Sequence, residues 1–237
     1  MSHIPSVFVA IPTMRVEPEH YTAIDAMSRH SKSIGQTIRL EQYTLRTSDH
    51  APTDLLARLQ EARSDFLNSG SSILMIVEDD IVVPPHAAVA LGLESMRHTP
   101  PDVPRVTYGL MVCRQVPFQW SASLALYPNG ENYSMRPHRL AQREAVRLLA
   151  VQARVPVQGC GMFCVAIPRI VVERIPFRQV GDHWPDLSFS LDCLKEEIDQ
   201  WMIPSVVCGH IDGNRILYPN TTDSDGNHWH QEERSGK

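Results

Sequence analysis

The 237-residue sequence predicts an α/β fold whose first half is Rossmann-like and whose central sheet is mixed. Two short β-branched runs, residues 7–11 and 73–77, are typical of buried parallel strands. An amphipathic helix pattern lies between them, as expected where a helix connects parallel strands. After residue 100 the pattern changes to shorter strands and turn signals, which predicts that the sheet does not stay purely parallel.

The first half, residues 1–100, is expected to alternate strands and helices. A helix is predicted at about residues 21–32, followed by a strand at residues 37–45. The next helix is predicted from apolar residues at i, i+4, i+7 and i+11, which are Leu55, Leu59, Ala62 and Phe66. Gly70 follows at the position where a residue of left-handed conformation commonly ends a helix.

The second half, residues 101–217, is predicted to contain shorter elements. Strands are expected at residues 106–113, 155–157, 162–167 and 205–208, and helices at residues 169–174 and 190–202. A hairpin turn is expected at Asn129-Gly130. Residues 218–237 are expected to form a mobile tail, because the sequence from Asn220 onward is polar and poor in aromatic side chains.

Composition and charge exclude several classes of protein. There are 22 Lys and Arg residues against 27 Asp and Glu, so the net charge of -5 does not attract nucleic acid by itself. No apolar run is long enough to span a bilayer, and the first residues lack the pattern of a signal peptide. Five cysteines at these spacings suggest no disulfide framework. We therefore expect a cytoplasmic protein without a membrane span.

The acidic motif Glu78-Asp79-Asp80 directly follows the apolar run at residues 73–77. Ligands of open α/β sheets bind beyond the carboxyl ends of the strands, and adjacent carboxylates repel one another. A divalent cation with oxygen ligands would relieve that repulsion. The alternative is a solvated acidic turn whose charge favours the helix start near His86. Position alone leaves both interpretations open.

Residues 76–85, Ile-Val-Glu-Asp-Asp-Ile-Val-Val-Pro-Pro, resemble the Asp-x-Asp region of GT-A-fold glycosyltransferases, which use nucleotide-diphosphate sugars. Further segments are similar to the family in the expected order, at residues 8–13, 108–114, 158–169, 186–189 and 209–211. The resemblance implies a single GT-A-like domain over residues 1–217. Residues 1–100 would be its nucleotide-binding half and residues 101–217 its acceptor half.

The resemblance also implies a metal site. Asp80 and His210 would be direct ligands, with Glu78 or Asp79 assisting through water or through the ribose of the donor. The first acid of the motif is Glu78 where the family pattern has Asp, so the division of roles between Glu78 and Asp79 stays open. Mg²⁺ or Mn²⁺ suits carboxylate and phosphate ligands, and one imidazole favours Mn²⁺.

The donor would be a nucleotide sugar, and the resemblance alone suggests UDP. Pro12 and Thr13 match the end of the family's opening strand, which contacts the nucleoside. Gly159 and Gly161 match a glycine-rich turn that faces the donor sugar and the acceptor. The activity implied is that of a metal-dependent, hexosyltransferase-like enzyme.

Asp186 matches the acidic residue that often supplies the acceptor base, a role that implies inversion of configuration. Pro185 precedes it where many relatives have Glu, and Asp182 is a nearby competitor for the same role. The alternative interpretation is that Asp186 only stabilises the start of the following helix.

An arginine-rich segment bears on the acceptor. Four arginines are spaced by 3, 4 and 4 residues, so in a helix they would share one face: Arg136, Arg139, Arg143 and Arg147. Such a face, with Arg114 of the "Gly…Arg" strand, would suit phosphates, and a hydroxymethylated base in DNA is one hypothetical acceptor. The alternative is a solvated helix face.

His228 and His230 could bind a metal ion as a pair. The simpler interpretation is that both belong to a polar tail.

Two other functions stay open. Nucleotidyltransferases use the same scaffold but usually have a glycine-rich, basic loop after the first strand, and residues 12–18 contain no glycine. A non-catalytic module that binds nucleotide sugars is the second alternative.

Overall fold

The computed structural model describes residues 4–15, 17–45, 52–97, 104–112, 122–125, 138–139, 154–181, 184–219 and 229–234. The first elements are β1 (Val7–Thr13), α1 (Pro18–Ser33), β2 (Ile38–Thr44), α2 (Pro52–Ser69), β3 (Ile73–Val77), β4 (Ile81–Val82), α3 (Ala87–Ser95) and β5 (Arg105–Leu110). Next come β6 (Ala122–Ala125), β7 (His138–Arg139), β8 (Val155–Pro156), β9 (Gly159–Cys160), β10 (Cys164–Pro168), α4 (Arg169–Arg174) and α5 (Pro185–Lys195). The last elements are β11 (Asp199–Val207), β12 (Gly209–Asp212), β13 (Arg215–Pro219) and β14 (Trp229–Glu233).

The central sheet has seven strands in the order β2-β1-β3-β10-β5-β11-β8. Strand β1 is parallel to both β2 and β3, as the strand–helix alternation of the first half predicts. Strand β10 lies antiparallel between β3 and β5, while β5 and β11 are parallel. The predicted α/β class with a mixed central sheet is therefore confirmed.

Helices cover both faces of the sheet. Successive side chains of a strand point to opposite sides, so the apolar strands of this sheet present hydrophobic side chains to both faces. Phe8 of β1 packs edge-on against Phe66 of α2, with the ring centroids 6.1 Å apart. The preceding residue, Val7, lies beside Gly92 of α3 on the other face. Both β1 and β3 are buried along their whole length, which explains their apolar composition. Among the described residues, no helix is both long enough and apolar enough to cross a bilayer.

A second sheet has the order β14-β13-β12-β4 and is antiparallel throughout. The prediction of a mobile tail from residue 218 is wrong for its described residues. Tyr218 and Pro219 complete β13, and residues 229–233 form β14, which pairs with β13. Backbone hydrogen bonds can add a polar segment to the edge of a sheet, so the polar composition of this segment did not indicate a strand.

The predicted helix at residues 190–202 is also wrong at its C-terminal end. The helix, α5, ends at Lys195, and Glu197 adopts a left-handed backbone with φ 54°. The chain then enters β11, which begins at Asp199 and contains the bulky and β-branched residues that favour strands. Asn129-Gly130, the expected hairpin turn, lies outside the described residues.

Gly109 in β5 allows a close approach of two neighbouring strands. A Cβ atom at this position would lie 2.8 Å from Sγ of Cys208 and 3.4 Å from Sγ of Cys164. Both thiols therefore fill the space that a side chain at residue 109 would need, directly in the core of the central sheet.

We expect Gly109→Ala to lower the free energy of unfolding by about 1–3 kcal/mol, because the added methyl group overpacks this region. Chemical denaturation measures the change. Gly92→Ala is the matched control, since its Cβ would meet no atom closer than 3.4 Å and alanine favours the helix. Equal stability of the two variants would contradict the packing argument.

Candidate active site

The acidic motif lies at the carboxyl end of β3, at the same edge of the sheet as the end of β1. The parallel register pairs Ala10 with Ile76, so β1 and β3 run side by side towards this edge. The amide of Glu78 donates to the carbonyl oxygen of Phe163 at 3.0 Å, so the chain after the glycine-rich turn reaches the same edge. The structure thus brings together three segments that the resemblance assigns to the donor.

Asp79 holds the loop that follows β1. Its carboxylate is buried, and Oδ2 accepts hydrogen bonds from the backbone amides of Met14 at 2.5 Å and Arg15 at 2.6 Å. Hydrogen bonds to a charged acceptor are stronger than neutral ones. Asp79 therefore fixes the loop directly after Pro12 and Thr13, a role that the sequence alone did not indicate.

Backbone pairing brings Asp80 and His210 together. Strand β4 begins directly after Asp80 and pairs with β12, where His210 lies opposite Ile81. The amide of Ile211 also donates to the carbonyl oxygen of Asp80 at 2.8 Å. As a result, Nε2 of His210 lies 3.6 Å from Oδ2 of Asp80, and both residues are buried.

The hydrogen bond on the other side of the imidazole fixes its tautomer. Nδ1 of His210 lies 2.9 Å from the carbonyl oxygen of Val112, which can only accept, so we assign the proton to Nδ1. In the neutral ring, Nε2 then presents a lone pair towards Asp80. Metal-binding histidines typically have this arrangement, in which the second nitrogen donates to a carbonyl or carboxylate.

The Asp80–His210 pair fits a divalent cation. Two electron-rich atoms 3.6 Å apart attract a positive charge between them, and metal–ligand bonds of about 2.1 Å span that separation. Within the described ranges, no three side chains of His, Cys, Asp or Glu are grouped so that they hold a metal ion by themselves. A cation at this pair would therefore need further ligands from the donor or from water.

His20 of α1 supports the same region and was not identified from the sequence. It is fully buried, and its Nδ1 donates to the carbonyl oxygen of Ile81 at 2.7 Å. Burial lowers the pKa of His20, an effect that this hydrogen bond and the nearby Asp79 and Asp80 partly offset. The partner is a backbone carbonyl 61 residues away, so no local pattern could have indicated the contact.

Asp186 lies in the first turn of α5. Its Oδ1 accepts a hydrogen bond from the amide of Leu187 at 2.7 Å. The residue is half-buried, and loss of water around the carboxyl group raises the pKa of Asp186 above its usual range, against the opposing effect of that hydrogen bond. A raised pKa suits a base that works near neutral pH, and an acid in the first turn also stabilises the helix, so the geometry fits both sequence-based interpretations.

Gln200 connects the glycine-rich turn to the helix that carries Asp186. The hydroxyl of Tyr108 donates to Oε1 of Gln200 at 2.7 Å. Nε2 of Gln200 donates in turn to the carbonyl oxygens of Gln158 at 2.9 Å and Ser190 at 3.1 Å. This buried network fixes the residue before Gly159 against α5, and sequence reasoning missed it because its members are far apart in the chain.

Of the four arginines expected on one helix face, the structure describes Arg139 alone. Arg139 lies in β7, a strand that pairs antiparallel with β6, and therefore not in a helix. His230 lies in β14. Several residues singled out from the sequence lie outside the described residues: Arg114, Arg136, Arg143, Arg147, Asp182 and His228.

No protein-family model matches the chain, and no curated protein matches it. Among solved structures, A197 from STIV superposes with a TM-score of 0.58 at 15% identity, over 91% of this chain and 90% of that one. GalNAc-T7, whose structure contains UDP, GalNAc and Mn²⁺, superposes with a TM-score of 0.52 at 13% identity. That match covers 90% of this chain but only 45% of GalNAc-T7. The protein has a GT-A-like fold.

We expect Asp79→Ala to release the loop after β1, because the amides of Met14 and Arg15 lose their acceptor. Hydrogen exchange read by mass spectrometry should then speed up by about tenfold or more at residues 13–15, the amount that about 1.4 kcal/mol of lost local stability produces. Asp25→Ala is the control, since Asp25 forms an exposed ion pair on α1. Unchanged exchange in Asp79→Ala would contradict the assigned role.

Proposed function

We propose that the protein is a metal-dependent glycosyltransferase that moves a sugar from a nucleoside-diphosphate sugar to an acceptor hydroxyl. The observation that carries this proposal is the buried Asp80–His210 pair at the carboxyl end of β3 in a GT-A-like fold. GalNAc-T7, a structure of similar fold, was solved with a nucleotide and Mn²⁺, which supports the same class of chemistry. UDP is the nucleotide expected from the sequence resemblance.

On the donor side, Asp80 and His210 would hold Mn²⁺ or Mg²⁺, with Glu78 assisting through water or the ribose. When bound, the cation would neutralise negative charge on the diphosphate that leaves. Pro12 and Thr13 would contact the nucleoside, and Asp79 keeps their loop in place through the amides of residues 14 and 15. Pre-set contacts of this kind lower the cost of ordering the site when the donor binds.

On the acceptor side, Asp186 would accept the proton of the attacking hydroxyl. The acceptor oxygen forms a bond to the anomeric carbon, the bond from that carbon to the diphosphate breaks, and the nucleoside diphosphate leaves with the electron pair. The turn at Gly159 and Gly161, held against α5 through Gln200, would leave room for the sugar beside this base. Direct attack from the opposite side inverts the configuration.

For the acceptor we propose a hydroxymethylated base in DNA. The support is the arginine-rich segment of the sequence, since arginine side chains suit the phosphates of DNA. Transfer of labelled sugar to hydroxymethylated DNA, compared with unmodified DNA, tests this part separately. Transfer to other acceptors but not to this DNA would reject the DNA hypothesis and leave the glycosyltransferase proposal standing.

Calorimetric titration with UDP and UDP-sugars, with and without Mn²⁺, tests the donor site. We expect metal-dependent binding that weakens by about 10–100-fold or more in Asp80→Asn and in His210→Ala, because each variant removes a ligand. Asp25→Asn and His30→Ala are matched controls on the outer part of α1. Binding that needs no metal, or equal binding by all variants, would contradict the metal site.

Product analysis separates the alternative functions. Release of nucleoside diphosphate from a sugar donor identifies a glycosyltransferase, and release of pyrophosphate from a nucleoside triphosphate identifies a nucleotidyltransferase. Metal-dependent binding of the donor without release of either product, across a panel of acceptors, identifies a binding module.

We expect Asp186→Asn to reduce kcat by roughly 10²–10⁴-fold while the affinity for the donor stays unchanged, because only proton transfer is lost. Since the pKa of Asp186 is raised, the acid limb of the kcat/KM profile of the wild-type enzyme should lie above the ordinary pKa of an Asp, about 3.9. Unchanged kcat, or loss of donor binding in Asp186→Asn, would contradict this role.

The same substitution makes a prediction about stability. The folded protein binds the Asp186 proton more tightly than the unfolded chain, so ionisation of this group opposes folding above its folded-state pKa. Asp186→Asn removes that cost, and we expect its free energy of unfolding at neutral pH to exceed that of the wild type. The gain should disappear below about pH 3.9, where the carboxyl group is protonated in both states. A destabilised variant at neutral pH would indicate that Asp186 mainly supports the helix.

A further inference from the structure

Arg234, just after the C-terminal strand β14, is bound to the start of α1. Nη2 of Arg234 lies 2.6 Å from Oε2 of Glu17 and 2.7 Å from Oε2 of Glu19, and Nε donates to Oε1 of Glu19 at 3.0 Å. The three side chains are largely buried, with exposed fractions of 15%, 15% and 19% in the order Arg234, Glu17, Glu19. Two carboxylates this close together need a cation between them, and Arg234 supplies it.

The same arginine is fixed to the turn between β12 and β13. Nη1 of Arg234 donates to the carbonyl oxygen of Gly213 at 2.9 Å, and its backbone amide donates to the carbonyl oxygen of Asn214 at 3.1 Å. Strand β12 carries His210 only three residues before Gly213. Arg234 therefore joins the start of α1 to the strand that supplies the histidine of the candidate metal pair.

The start of α1 is also the far end of the loop that Asp79 holds. Asp79 binds the amides of residues 14 and 15, and Glu17 follows two residues later with Pro18 at the first helical position. The fixed φ of proline stiffens this segment. The loop is consequently tied at one end by Asp79 and at the other by Arg234.

We propose that Arg234 is a positioning residue, through which the C-terminal strand holds the donor loop and His210 in their relative places. This inference rests on the proposed function, since it assigns the loop to nucleotide binding. The arginine acts through Glu17 and Glu19 and takes no part in proton transfer. Its loss affects donor affinity and leaves the acid limb of the pH profile in place.

Three measurements on Arg234→Ala test the proposal. Hydrogen exchange should speed up at residues 13–15 and 17, and the affinity for UDP in the presence of Mn²⁺ should fall by about tenfold or more, because small misplacements of binding groups have large effects. In turnover assays the change should appear in KM for the donor rather than in kcat. Arg234→Lys should restore part of the affinity, since it keeps a cation between the two carboxylates.

Arg215→Ala is the matched control, because Arg215 pairs with Asp212 in the same sheet. Its effect on affinity should be less than about twofold. If Arg234→Ala fails to fold, the double variant Glu17→Gln with Glu19→Gln, which keeps the arginine, should show the same loss of affinity and the same faster exchange.

The outcomes separate this proposal from the proposed function. Wild-type protein that binds no nucleotide rejects the proposed function, and the exchange measurement then decides alone whether Arg234 holds the loop. Wild-type protein that binds, with unchanged affinity and unchanged exchange in Arg234→Ala or in the double variant, overturns the positioning role. An equal loss in Arg215→Ala also overturns it, because the effect would then be a general weakening of the second sheet.

Discussion

The candidate site depends on the antiparallel pairing of β4 with β12. Strand β4 contains only Ile81 and Val82, yet it follows Asp80 directly and places His210 opposite Ile81. Two residues 130 positions apart in the chain thereby become neighbours, with a buried nitrogen and oxygen 3.6 Å apart. His20 supports the pairing from α1 through the carbonyl oxygen of Ile81. The hydrogen bonds from Ile211 to Asp80 and from His210 to the carbonyl oxygen of Val112 add to this pairing.

The acidic groups near this pairing have different kinds of neighbour. Backbone amides of the β1–α1 loop stabilise Asp79, whereas Asp80 faces the imidazole of His210. Arg234 stabilises Glu17 and Glu19, and this interaction lowers the pKa of Glu19. The contacts of Asp79 with the backbone amides and of Arg234 with the two glutamates offset charge repulsion, and they also tie the loop, the acidic motif and the second sheet to one another. The contacts that stabilise these carboxylates therefore also position the candidate donor site.

Part of this organisation could be predicted from the sequence and part could not. The uninterrupted apolar runs of β1 and β3 correctly predicted two buried strands, and the acidic motif directly follows β3 as the sequence indicates. The antiparallel insertion of β10 between β3 and β5, the strand β14 and the support from His20 were not predicted. Each depends on backbone hydrogen bonds between distant segments, for which side-chain patterns give no signal. The network around Gln200 was not predicted for the same reason, since two of the three hydrogen-bond partners of Gln200 are backbone carbonyls.

The most direct test of the account asks whether His210 coordinates the metal ion. Pulsed electron paramagnetic resonance of Mn²⁺ bound together with UDP detects the nitrogen of a coordinated histidine. We predict a coupling to one histidine nitrogen in the wild-type protein and in His30→Ala, and its loss in His210→Ala at metal concentrations that still saturate the variant. Bound Mn²⁺ without nitrogen coupling, or a coupling that persists in His210→Ala, would contradict the assignment of the Asp80–His210 pair as the metal site.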